Sequence, residues 1–379
     1  TLSSHNPAAL RRLHELPGSL IFVDEAHSAL PIRLLPLAWH WMNVLADEWS
    51  CYWVLASGSL VRYWELQPLS GLSMPQPEIA ELVRPDLQRE LSRYESSRIT
   101  FRWREKPIGW KELPKWVQEA PGPRLLILNT VQSAAVIAAD MAAEFGQTHV
   151  EHLSTALSPE DRGNTIDRIR RRLADPYDAD WTLVATSCVE AGVDFSFRTG
   201  FREISSLLSL LQAAGRVNRH GRNTEAVMWS FSLQDDSMLP KNPALDVSAA
   251  VLRSYFQKRL PITPELSTRS MQDELVRDDS CMSAICDFAE LEAAQQFRTL
   301  AQKFRVIDQK TVLAVPDESM ASAIAEGRAS WQELQRHAVS VRKEKIVLWH
   351  LREIADGIYQ WTLGYDSFLG YMHGVLLTE

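Results

Sequence analysis

The sequence predicts an α/β protein: two domains built on parallel sheets, then a C-terminal accessory domain. Three observations predict it. Short apolar runs are bounded by turn or polar residues, helical patterns lie between them, and short polar motifs stand directly behind several of them. The runs are residues 20–23, 52–56, 125–128, 181–185 and 226–231. Apolar runs without alternation read as strands covered on both faces, as parallel sheets demand. Residues 132–145 are Ala-rich and nearly free of helix breakers. Residues 158–174 open with Ser158-Pro159-Glu160-Asp161, a hydroxyl cap, a proline at the first position and acids in the first turn. Ile166, Ile169 and Leu173 then supply its expected buried stripe. Strands alternating with helices give helices on both faces of a sheet.

The Glu-Ala-Pro-Gly-Pro stretch at 119–123 reads as a linker. It places the first domain at 1–120 and the second at 121–238. Residues 239–379 are then the accessory domain, predicted to be helical over 284–305. Short strands are expected over 346–377, which is rich in β-branched and aromatic residues.

Composition narrows the function classes. A chain of 379 residues with 45% hydrophobic side chains can bury a large core without covalent staples. A net charge of -8 argues against coating nucleic acid through overall charge and leaves room for a local basic groove. Cys51, Cys188, Cys281 and Cys286 are too few for a disulfide framework. The close pair Cys281 and Cys286 lacks the further ligands of a zinc site. No apolar run suits a bilayer and no signal peptide opens the chain, so no membrane partner and a reducing cytoplasmic setting are expected.

Three elements carry chemistry. Asp24-Glu25-Ala26-His27 follows the first apolar run. Strand carboxyl ends face the ligand crevice of a parallel sheet. Two adjacent carboxylates there suit a magnesium ion held largely through water, and a water activated for attack on a phosphate. The second element is Gln212-Ala213-Ala214-Gly215-Arg216-Val217-Asn218-Arg219. On a helix, Gln212, Arg216 and Arg219 share a face, with Leu207, Leu208, Leu211 and Ala214 opposite. Guanidinium forks match triphosphate oxygens. The third is Ala185-Thr186-Ser187 followed by Glu190-Ala191-Gly192-Val193-Asp194. Thr186 or Ser187 can meet a nucleic-acid phosphate, and Asp194 can couple that contact to the nucleotide.

Weaker elements are Ser57-Gly58-Ser59 behind the second run, Asn129-Thr130 behind the third, and His152-Leu153-Ser154. A basic run, Arg162, Arg168, Arg170, Arg171 and Arg172, reads mainly as a solvated face.

The order specifies more than any piece does. DEAH, SGS, NT, ATS with EAGVD, and QAAGRVNR follow the order of superfamily 2 helicase motifs II to VI. The segments LILNTVQS, LSPEDR, VEAGVDF, GRVNRHG and the later LQRHAVSV resemble the CRISPR-associated helicase–nuclease of type I systems. That resemblance implies tandem RecA-like domains, the first incomplete here, and magnesium-dependent ATP hydrolysis. It also implies movement on single-stranded DNA and recruitment by an RNA-guided surveillance complex. It makes Asp24, Glu25, His27, Arg216 and Arg219 the catalytic set, and Gln212, Gly192 and Asp194 nucleotide contacts. Ser57, Gly58, Ser59, Asn129, Thr130, Thr186 and Ser187 become the nucleic-acid and coupling set.

The chain departs from the family in three ways. Its third motif is Ser-Gly-Ser rather than Ser-Ala-Thr, and position 213 is Ala where many relatives carry Arg. Neither a GxxxxGK[ST] phosphate loop nor a nuclease His-Asp dyad occurs, and both are expected upstream of what is present. A different superfamily 2 helicase and a non-catalytic scaffold with the helicase fold are the competing expectations.

Overall fold

The computed structural model describes residues 11–26, 30–66, 79–305 and 310–378. In chain order it gives β1 (Leu20–Val23), α1 (Leu35–Trp49), β2 (Tyr52–Leu55), α2 (Pro85–Arg98), β3 (Thr100–Trp103) and α3 (Leu113–Gln118). Then come β4 (Arg124–Ile127), α4 (Val131–Phe145), β5 (Val150–Leu153), α5 (Pro159–Ala174), β6 (Thr182–Ala185), β7 (Thr199–Glu203), α6 (Leu207–Ala214) and β8 (Val227–Phe231). Four helices follow: α7 (Asp246–Gln257), α8 (Ser267–Arg277), α9 (Asp279–Ala293) and α10 (Phe297–Lys303). The chain ends with β9 (Thr311–Val315), α11 (Glu318–Ala325), α12 (Trp331–His337), β10 (Val339–Arg342), β11 (Arg352–Ala355), β12 (Ile358–Gln360) and α13 (Met372–Thr378).

The chain divides into two compact units. One holds residues 1–88 and 247–308, the other 89–246 and 309–379. Residues 239–379, read above as one accessory domain, are thus shared between them. The reason is side-chain pattern: Phe288 and Leu300 close a core with Leu34 and Leu37, whereas Trp361 and Tyr371 join the core of the second sheet.

In the first unit β1 pairs with β2 in parallel, Leu20 opposite Tyr52 and Val23 opposite Leu55. α1 packs beside β2, and the Trp53 indole donates to the Met42 carbonyl at 3.1 Å. The expectation of strands covered on both faces fails here. Leu20, Phe22 and Tyr52 are 70%, 63% and 64% exposed. Opposed residues of a parallel pair share a face, and among the described residues nothing covers this one.

In the second unit six strands run parallel in the order β3-β8-β7-β4-β6-β5. Here β4 and β6 are buried throughout, as their sequences require. Thr130 caps α4 through Ser133 N–H, and Ser158 caps α5 through Asp161 N–H. A second sheet, β10-β9-β12-β11, is mixed. Val339, Trp361 and Tyr371 share a core with Leu126, Val184 and Phe231. Residues 372–378 are helical rather than extended, a correction to the strands expected over 346–377. The solvated-face reading of the basic run also changes: Arg168 and Arg172 both clamp Glu151, which is 4% exposed.

Candidate nucleotide and nucleic-acid site

The first unit brings the second and third motifs together. Asp24 and Glu25 leave the carboxyl end of β1 in a turn in which Glu25 has φ 48° and its N–H donates to Asp24 Oδ1 at 2.9 Å. Ala26 N–H then donates to the Ala56 carbonyl at 3.0 Å, beside Ser57-Gly58-Ser59 at the end of β2. Buried Ala26 is also held through its carbonyl by the Tyr63 hydroxyl. Two carboxylates, the first exposed and the second half-buried, can therefore face solvent from one rigid turn. His27 lies outside the described residues. Ser59 is buried and donates its N–H to Ser57 Oγ at 3.1 Å. A Cβ on Gly58 would meet nothing within 4 Å, and its φ is not left-handed. Gly58→Ala is therefore expected to raise stability by about 0.4–1 kcal/mol through the unfolded chain. Chemical denaturation measures it, and a loss of stability would mean that this loop needs glycine.

In the second unit the ends of β4, β6 and β7 converge where the strand order reverses, at β4. Ligands of open α/β sheets gather at such a point. Arg202 on β7 is 3% exposed and organises it. Its guanidinium pairs with Glu190 at 2.9 Å and donates to Asn129 Oδ1, the Glu203 carbonyl and Ser209 Oγ. Ser209, in the first turn of α6, donates to Glu190 at 2.7 Å. Burial pushes the Glu190 carboxyl up, while Arg202 and the Ser209 hydroxyl pull it down. Burial also raises Glu203, whose carboxylate accepts the Asn129 N–H. Asn129 completes the set by donating its amide to the Ile204 carbonyl at 2.9 Å. Its side chain is thus bonded at both ends.

The other expected residues divide by exposure. Thr186 is buried with its hydroxyl on Cys188 Sγ, Ser187 is exposed, and Thr130 serves as the α4 cap. Gly192 turns the loop at φ +75°, a conformation that costs other residues roughly 1–2 kcal/mol. Asp194 is exposed and pairs with Arg219 at 2.9 Å. Arg219 N–H also donates to Ser196 Oγ.

The single helical face expected for Gln212, Arg216 and Arg219 is corrected. α6 ends at Ala214, and Gly215 occupies its C-cap with N–H donated to the Leu211 and Ala213 carbonyls. Asn218 then turns left-handed at φ 46°. Leu207, Leu210, Ala213 and Ala214 are the buried positions. Arg216, 8% exposed, donates to the carbonyls of Val189 and Glu190. It clamps the loop that holds Gly192 and Asp194, leaving Gln212 half-buried on the helix and Arg219 43% exposed beyond it. Arg202, Glu203 and Ser209 were missed by sequence reasoning. Glu190 stood inside a quoted motif, but nothing in the sequence gave its partner.

Among the described residues no helix is long and apolar enough to cross a membrane.

Residues 121–222 match the family model described as CRISPR-associated nuclease/helicase Cas3, C-terminal. A CRISPR-associated nuclease/helicase Cas3 of Methanothermobacter thermautotrophicus is 21% identical over 64% of this chain and 31% of its own length. One from Haloferax volcanii is 28% identical over 30% of this chain and 18% of its own. A crystal structure of T. fusca Cas3 with AMPPNP matches at TM-score 0.58 and 16% identity, covering 92% of this chain and 51% of that one. The chain therefore spans about a third or less of these curated relatives and about half of the solved one. Residues 121–222 thus resemble the C-terminal part of Cas3 in sequence, and nine-tenths of the chain resembles a solved Cas3 in fold.

Proposed function

We propose that this chain is the strand-engaging and phosphate-sensing part of a Cas3-like, ATP-driven helicase that moves on single-stranded DNA within a CRISPR type I effector. One observation carries the reading. Arg202, Glu190, Asn129 and Ser209 tie the ends of β4, β6 and β7 and the start of α6 into one buried network at the switch point. Such a network transmits a shift at one loop to the others, because none of its members can be lost without leaving a buried polar group unpaired.

The roles follow from exposure. Ser187 meets a backbone phosphate, while Thr186, Asn129 and Thr130 shape that loop end from within. Ser57, Gly58 and Ser59 couple the carboxylate turn to the strand beside it. Gln212 and Arg219 reach the nucleotide phosphates, and Arg216 holds the Gly192–Asp194 loop. Asp24 and Glu25 would hold a magnesium ion, a hard cation that prefers carboxylate oxygens. The ion supplies neutralisation of phosphate charge, and Glu25 orients the attacking water. His27 belongs to the same motif.

Support for the partners comes from neighbours. T. fusca Cas3 was solved with ATP and ADP, another neighbour sits in an RNA-guided surveillance complex before nicking, and the helicase MrfA was solved bound to DNA.

Nucleotide hydrolysis needs backbone N–H groups and a Lys from a phosphate loop, and these 379 residues contain none. The chain alone is expected to release no phosphate above a Glu25→Gln control, with or without oligothymidine. Joined to a RecA-like segment that carries a phosphate loop, it should show DNA-stimulated release that Glu25→Gln removes. Release by the unjoined chain, or stimulated release indifferent to Glu25, would overturn this reading.

A further inference from the structure

The polar side of α2 lies outside every motif named above. Among the helix residues only Arg98 is buried, so α2 is fixed at its last turn and open along the rest. Arg98 donates to the Val217 carbonyl and pairs with Glu95 at 2.6 Å, and Asn218 donates its amide to the Arg98 carbonyl at 2.9 Å. Tyr94 packs on Gly221, where φ is +63° and a Cβ would stand 2.7 Å from the phenol oxygen. The helix is therefore pinned to the loop that carries Arg219.

Arg89, Ser92, Arg93, Ser96 and Ser97 line a shallow cavity of about 530 Å³ along α2. Their spacing of three and four residues stacks them in one stripe. Arginines one turn apart repel, and a bound polyanion relieves that repulsion. Of the nearby acids, Glu95 pairs with Arg98, Asp86 with Arg84 and Glu81 with Arg62, while Glu90 stands exposed on the same helix. Arg93 has no carboxylate partner among the described residues. Ser96 and Ser97 donate their hydroxyls to the Ser92 and Tyr94 carbonyls, so recognition rests on the two guanidiniums. No apolar side chain lines the cavity to anchor a protein.

We propose that the Arg89–Arg93 stripe of α2 binds the phosphate backbone of the single strand. This rests on the reading of the chain as a DNA-engaging helicase part and adds a contact that no helicase motif supplies. Its ligand is the phosphodiester run, and sequence is not read.

The test is anisotropy of labelled oligothymidine against the chain, Arg89→Ala/Arg93→Ala and Arg89→Lys/Arg93→Lys, between about 50 and 200 mM salt. Single-strand contacts each contribute a salt slope of about 0.7, so the Ala pair should flatten the slope by roughly 1.4 and bind about tenfold more weakly at low salt. The Lys pair should keep the slope. Helicity and melting should hold in both, because Ala and Lys favour exposed helix. A parent that binds while the Ala pair titrates identically overturns the stripe and leaves the helicase reading standing. A parent that binds no strand overturns both. Displacement of the strand by inorganic phosphate at an equal phosphate concentration identifies a small-anion site and also overturns the proposal.

Discussion

Arg219→Ala, in a hydrolysing enzyme that contains this region, is expected to lower turnover by about 10³–10⁵-fold with little change in nucleotide affinity. That corresponds to roughly 4–7 kcal/mol of transition-state stabilisation. The expectation combines the motif position of Arg219 with its placement. It lies beyond the end of α6, 43% exposed, and among the described residues it forms an ion pair with exposed Asp194. An exposed pair is worth about 0–1 kcal/mol, so a triphosphate can take the guanidinium from Asp194 at small cost. A group that acts on charge developing during transfer shows its loss in turnover rather than in binding. Arg219→Lys should recover little, because a point charge cannot reproduce the planar fork. Turnover and nucleotide affinity measured separately decide it. Near-parental turnover in Arg219→Ala refutes the assignment, and equal losses in both make Arg219 a ground-state ligand.

Arg202→Met should be among the most destabilising substitutions in the second unit, at about 3–5 kcal/mol. Glu190, 8% exposed, would then be a buried carboxylate without its cation. The pH dependence has a definite sign. Burial already holds the folded Glu190 pKa above the unfolded one, and losing Arg202, the largest influence lowering it, raises it further. A group with a raised folded pKa binds its proton more tightly when folded. Its relative stability is therefore greatest below the unfolded pKa and is lost as pH rises through the folded one. Arg202→Met should consequently lose less at pH 5 than at pH 8. Replacing both partners, as Arg202→Met/Glu190→Leu, should recover much of the loss, since apolar substitutes for a buried pair are often neutral. Urea midpoints for the three chains at both pH values test this. A loss independent of pH, or no recovery in the double variant, would mean that Glu190 is not the strained group.

Much of the fold is legible in the sequence because its central strands are mainly apolar. β4 and β6 are covered on both faces and read as such, and the caps Thr130 and Ser158 act through the atoms their positions imply. Two of the strands missed, β5 and β7, carry buried polar groups. β5 contains Glu151 and His152, 4% and 1% exposed, the one clamped by two arginines and the other bonded to the Phe368 carbonyl. β7 contains Arg202. Each looks polar in one dimension because its partner is distant in sequence: 17 residues from Arg168 to Glu151 and 216 from His152 to Phe368. The site shows the same division. Motif order located the loops, but it could not tell that Arg216 faces inward onto carbonyls while Arg219 faces out. That difference depends on one left-handed residue, Asn218, whose amide also reaches Arg98 and Asn223.

The bare side of the β1–β2 pair bears on how the chain behaves in the tube. Leu20, Phe22 and Tyr52 form a contiguous greasy panel beside strand edges that no other described strand occupies. Panels of this kind adhere to one another, and open edges template further pairing. A net charge of -8 keeps molecules apart at long range, but salt shortens that reach to about 8–10 Å. Concentration and ionic strength, more than folding stability, then govern whether the chain remains dispersed. The same buffer salt that would weaken the proposed hold on a nucleic-acid strand also brings these panels together.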